Sequence, residues 1–204
     1  MLDRRRQFHG ADLTNEPRLR PPHALPFSRR NPYILSDAAL ATNGSAANSK
    51  SNAMLNDVYN SRILELAGNI PRLGRLAAPD ATATAHSKLC GSTVTVDIKM
   101  DGDTVTDFSH DVKACALGQA SSSIMARNVI GSKAGELREL RETVRRMLKE
   151  NGSAPHGKWA DIAVLEPVRD YKARHASTML TFDAVATAID QIEAKRRAAM
   201  VTGS

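Results

Sequence analysis

The chain has 204 residues, 42% hydrophobic and 25% charged, which suits one globular domain plus a tail. No run approaches the ~20 apolar residues that cross a bilayer, and two cysteines are too few for a secreted disulfide framework, which points to a reducing, cytoplasmic setting. Residues 1–53 carry eight Lys/Arg against four Asp/Glu and so hold most of the formal +6; the remainder, 20 against 18, is too near neutrality for a nucleic-acid binder.

In chain order, residues 1–53 lack apolar periodicity and read as a disordered basic leader, or as non-native sequence upstream of a start at Met54. An Arg-rich, acid-poor stretch also has the composition of an organellar targeting segment. Residues 54–204 form the predicted domain. A first helix runs through Val58, Ile63, Leu64 and Leu66 and stops at Gly68 and Pro71. Gly74 and Pro79-Asp80 mark a loop. Ala81 to Lys88 reads as a short strand, and Ser92 to Met100 alternates strongly. Asp101-Gly102-Asp103 is a hairpin turn, with Thr104 to Val112 as the partner strand. Helices follow over about Cys115–Val129, Lys133–Asn151 and Ala173–Arg197. The order predicts an α+β fold, a three-stranded antiparallel sheet packed against several helices.

Both cysteines fall at element boundaries. Cys90 precedes Gly91 and Ser92 at the mouth of the alternating strand, and Cys115 opens a helix, where partial positive charge from the backbone gathers. A hairpin between them brings two soft ligands to one rim of a sheet. Asp101-Gly102-Asp103 lacks the further oxygen ligands of a calcium loop. Ser121-Ser122-Ser123 has no His–Asp pair and reads as helix packing. The charge-rich run from Glu136 to Glu150 reads as a solvated helix face, and Trp159 as an anchor for the segment around it.

The run Cys115-Ala116-Leu117-Gly118-Gln119-Ala120-Ser121-Ser122-Ser123-Ile124-Met125, set one hairpin after Cys90-Gly91-Ser92, resembles the iron–sulfur cluster assembly scaffold family of the SufU, IscU and NifU N-terminal type. Pro71-Arg72-Leu73-Gly74 is similar to an N-terminal signature of that family, and Tyr59 to its first-helix tyrosine. Val168-Arg169-Asp170-Tyr171-Lys172-Ala173-Arg174-His175-Ala176-Ser177 matches the SufU branch best, with Gly152 to Pro167 as that branch's insertion. The resemblance spans roughly Val58 to Ile189.

The resemblance implies a non-enzymatic scaffold that binds iron or an iron–sulfur cluster, with a cysteine desulfurase and apo recipient proteins as partners. It implies Cys90 and Cys115 as cluster- and metal-binding residues, converging with Ser177. The family's aspartate and third cysteine are replaced by Ser92 and Ser177. A serine hydroxyl is a poor ligand near neutral pH, because it must lose a tightly held proton. Three arrangements stay open. A histidine completes the set, with His175 the first choice and His86 and His110 behind it, for iron or zinc. Or a homodimer shares one cluster through four thiolates. Or no metal binds, and the domain is an adaptor for the desulfurase or a persulfide sulfur carrier.

Overall fold

The computed structural model describes residues 60–202. The leader of residues 1–53, the boundary at Met54, and Val58 and Tyr59 lie outside the described residues. The elements are α1 (Ser61–Gly68), β1 (Ala81–His86), β2 (Thr93–Asp101), β3 (Thr104–Lys113), α2 (Ala116–Asn128), α3 (Ala134–Lys149), a 3-10 segment (Gly157–Asp170) and α4 (Lys172–Thr202). The first helix starts at Ser61 because Asn60 caps it, its side chain accepting from the Ile63 N–H at 3.0 Å. The first strand stops at His86 rather than Lys88, where the chain turns toward Cys90.

The sheet is antiparallel in the order β1-β2-β3. Period-2 alternation decides its faces. Val94, Val96 and Ile98 of β2 oppose Ala85, Ala83 and Ala81 on one side and Val112, His110 and Phe108 on the other, and together they form the helix-facing layer. The turn Gly102-Asp103 closes the hairpin, with Gly102 at φ +54 as a two-residue loop requires. α4 lies along β1 and β2 and also packs on α2 and α3. The charges of α3 are not simply solvated: Arg138 pairs with Asp190 and Glu193, and Arg141 with Asp183, all on α4. Trp159 is buried and donates its Nε1–H to Glu136 at 2.7 Å, anchoring the 3-10 segment to α3. Among the described residues no helix is long and apolar enough to cross a membrane.

The link between α1 and β1 straps the sheet. At the free edge of β3, the Gly74 N–H donates to His110 O at 2.9 Å and the His110 N–H donates to Arg72 O at 3.1 Å. Arg72 takes a left-handed φ of +59° to fit there. The chain then crosses the face away from the helices, where Asp97 is fully buried. Its carboxylate accepts from Arg75 Nε at 2.6 Å, Thr82 Oγ1 at 2.6 Å and the Leu76 N–H at 3.0 Å. Burial penalises the charged form, but these hydrogen bonds outweigh it and hold the carboxyl below the ordinary carboxylate range. His110 lies inside β3, with Nε2 2.9 Å from Pro71 O and Nδ1 without a partner among the described residues. Burial holds its imidazole below the usual pKa, so the ring is neutral.

Both groups have folded pKa values below their unfolded ones. Each therefore contributes stability that is present above the unfolded pKa and lost as pH falls toward the folded one. Urea midpoints measured against pH should drop first below about 6.5 for His110 and again below about 3.9 for Asp97. Asp97→Asn should abolish the second step and cost about 1–3 kcal/mol at neutral pH; His110→Gln should abolish the first.

Candidate functional site

Four chain segments meet at the rim where β1 ends, β2 begins and β3 runs out. The link between β1 and β2 is a short turn, closed by Ser87 N–H donating to Ser92 O and Gly91 N–H donating to Ser87 O, both at 2.9 Å. Gly91 sits at φ +67, a conformation glycine adopts without strain. The turn presents Cys90 outward, exposed, and folds Ser87 and Ser92 inward, buried. Thr93 pairs with Lys113, which places Cys115, N-cap of α2, beside the same turn.

Hydroxyls knit the thiols together. Cys90 Sγ lies 3.3 Å from Ser87 Oγ and 3.0 Å from Ser92 Oγ. Ser92 Oγ also accepts from the Cys115 N–H at 3.4 Å, which leaves its own proton free to point at Cys90. Cys115 Sγ in turn lies 3.4 Å from Ser177 Oγ. Ser177 spends its hydroxyl proton on Arg174 O at 3.0 Å, so it offers the Cys115 thiol a lone pair rather than a donor. Cys90, Ser92, Cys115 and Ser177 are thus one contiguous group.

Cys90 is the activated thiol. The hydroxyls of Ser87 and then Ser92 favour its thiolate, with the charge of Arg174 adding to them, and its pKa falls from 9.0 to about 7 against a smaller opposing effect of burial. Ser87 is not among the sequence candidates for this role. Ser87 is legible only as a second serine three residues before Cys90, a spacing that closes a turn.

The histidines stand apart from the thiols. His175 is two residues before Ser177 on α4, about 200° away around the helix. Its Nε2 lies 3.1 Å from both Val168 O and Arg169 O, at the end of the 3-10 segment. In this structure the His175 ring secures the start of α4. His86 is exposed, its Nδ1 3.0 Å from Thr93 Oγ1, and His110 is committed to Pro71. Among the described residues no group of three or more His, Cys, Asp or Glu is gathered to hold a metal ion. The site offers two sulfurs and three neutral hydroxyls. That set fits a soft metal or a cluster through the sulfurs alone and does not fit a closed four-ligand zinc centre.

The contact that carries Ser177 to Cys115 is made by Gly118. A Cβ at this position would stand 2.9 Å from Ser177 O and 2.8 Å from the Ala114 Cβ. The run Ser121-Ser122-Ser123 is buried in the same helix, where Ser121 donates to Leu117 O and Ser123 to Asn69 O.

The profile of the NifU-like N-terminal domain family matches residues 58–178. The iron–sulfur cluster assembly scaffold protein IscU of Thermotoga maritima is 26% identical over 137 residues, which cover 66% of this chain and 94% of that protein. The crystal structure of a nitrogen-fixing NifU-like protein (N-terminal) from Brucella abortus is 70% identical, with a TM-score of 0.69, covering 70% of this chain and 99% of that one. A putative scaffold for the SUF system from Fervidobacterium islandicum shares the fold at 21% identity, with a TM-score of 0.61 over 66% of this chain and 98% of that one.

Two outcomes test this geometry. Alkylation of Cys90 by iodoacetamide should rise with pH through a midpoint of about 7, and Ser92→Ala should move that midpoint upward, because a hydroxyl that favours the thiolate is gone. Gly118→Ala should cost about 1–3 kcal/mol in urea denaturation, since the added methyl forces α2 and α4 apart.

Proposed function

The chain belongs to the NifU-like N-terminal domain family, and on that footing we propose that it is an iron–sulfur cluster assembly scaffold that takes up sulfur and iron through Cys90 and Cys115. The observation that carries the proposal is that the family match spans the two thiols and both serines that join them. Thiolates are soft ligands suited to iron–sulfur clusters, whereas Ser92 and Ser177 keep their protons near neutral pH. The cargo is then held by two protein sulfurs and completed by ligands from outside the chain. Incomplete ligation favours release, which suits handing a cluster to a recipient. A cysteine desulfurase as sulfur donor and apo iron–sulfur proteins as recipients follow from the family, and the role is binding and transfer rather than turnover. Both cysteines are free, as cargo binding in a reducing compartment requires.

The lowered pKa of Cys90 favours a second reading, a persulfide carrier. The Cys90 thiolate would attack the outer sulfur of a desulfurase persulfide, forming a new S–S bond while the donor cysteine leaves as thiolate. No electrons are gained or lost overall.

Anaerobic reconstitution of the full chain with ferrous iron and sulfide tests the proposal. The expected result is iron and acid-labile sulfide retained on the wild type and lost in both Cys90→Ser and Cys115→Ser. Ser92→Asp combined with Ser177→Cys, which restores the family's donor set, should retain more of both. If neither the wild type nor the restored variant holds iron, the scaffold proposal fails. The carrier reading then stands only if desulfurase and cysteine add the mass of one sulfur atom to Cys90.

A further inference from the structure

The donor set at the rim specifies a coordination number. Cys90 is exposed and Cys115 half-buried, and one hydroxyl joins them: Ser92 Oγ lies 3.0 Å from Cys90 Sγ and 3.4 Å from the Cys115 backbone nitrogen. Among the described residues no His, Asp or Glu joins the two thiols to make a group of three metal donors. Asp111, on the strand that leads to Cys115, is paired with Lys113 at 3.4 Å. Met179, the next soft side chain after Ser177 in sequence, lines a cleft with Leu148 and Arg141 on the α3 side instead. Ser87, Ser92 and Ser177 keep their protons near neutral pH. Zinc in a structural site takes four donors, so zinc here would be left two short.

We propose that Cys90 and Cys115 form a two-coordinate site for a soft monovalent cation, copper(I). The inference rests only on the two thiols acting as ligands, and it adds a second cargo that competes with iron and sulfide for them. Thiolates are the soft ligands that select this ion, and its filled d shell lets it stop at two sulfurs in line with no third donor. Binding is a simple exchange. Two thiols release two protons, two sulfur–copper bonds form, and copper stays monovalent. Two thiolates and one monovalent cation leave one net negative charge, and the rim favours that charge on both sides. The Arg174 guanidinium acts on Cys90, and Ser87 and Ser92 place hydroxyls 3.3 and 3.0 Å from its sulfur. Cys115 is the N-cap of α2, where the backbone gathers partial positive charge. A divalent ion on the same two thiolates would be neutral and would draw less from these groups. Cys90 stands on a turn closed by two hydrogen bonds, so bringing the sulfurs into line with the metal asks for adjustment of that turn and leaves the sheet undisturbed.

Anaerobic competition of the full chain against the chromophoric copper(I) chelator bicinchoninate tests the inference. The wild type should withdraw one copper per chain. Cys90→Ser and Cys115→Ser should each lose that capture while keeping the wild-type circular dichroism spectrum. X-ray absorption of the loaded wild type needs no variant, and should show two sulfurs and no nitrogen or oxygen bound to copper. Sedimentation should show that loading leaves the size of the particle unchanged, so that both sulfurs come from one chain. In a parallel titration with zinc, the wild type should bind far more weakly than Ser92→Asp combined with Ser177→Cys, which adds two donors. Loading with copper(I) before reconstitution should lower the iron and acid-labile sulfide retained. Retention without copper is read beside it, so failure of the scaffold proposal and failure of this one are told apart. No copper capture by the wild type, capture that survives loss of either thiol, copper held by three or more donors or bridging two chains, or zinc bound by the wild type as tightly as by the double variant overturns the inference.

Discussion

The rim depends on one close approach. Where Gly118 of α2 meets the Ser177 carbonyl of α4 there is no room for a methyl group, and that contact sets how near the last helix comes to Cys115. Helices normally pack 8–10 Å apart, and only small residues let backbones come closer. Ser177 is reached from 62 residues downstream of Cys115, so no local feature holds the two together. The strap over the other face, pinned by Asp97, anchors the sheet against which α4 lies.

The two thiols differ because of where neighbouring hydroxyl protons go. Ser87 and Ser92 have protons to give Cys90, while Ser177 has spent its own on Arg174 O. The same residue type donates to the thiolate form of Cys90 and accepts beside Cys115. Ser92 and Ser177 are therefore not inert fillers. They link the turn, the helix N-terminus and α4 into one hydrogen-bonded unit around the sulfurs.

Much of this is legible in the residues because it is written in periodicity. The alternation from Thr93 to Met100, the Gly102 turn and the cysteine motifs each encode a local geometry, and the sheet order follows from short connections. What escapes reading is non-local or has an unfamiliar period. Asp97 looks like an outward polar residue of an alternating strand, yet a strap from 21 residues earlier buries it. His175 is close to Ser177 in sequence, but two steps along a helix turn it away. The 3-10 segment reads from sequence only as an insertion anchored by Trp159. Its buried residues Trp159, Ile162, Leu165 and Val168 recur every third position, the period of a 3-10 helix rather than an α-helix. That spacing is present in the chain and is the signal that identifies it.

Trp159 is the chain's one tryptophan, and it is held against α3 by Glu136 rather than placed among the sulfurs. Its indole emission is consequently a private optical channel for the docking of the 3-10 segment. Absorbance from sulfur-to-metal charge transfer would report a different event, cargo at the rim. Two colours of light would then follow two separate processes in the same cuvette, and would show whether loading the rim loosens the segment that leads into α4.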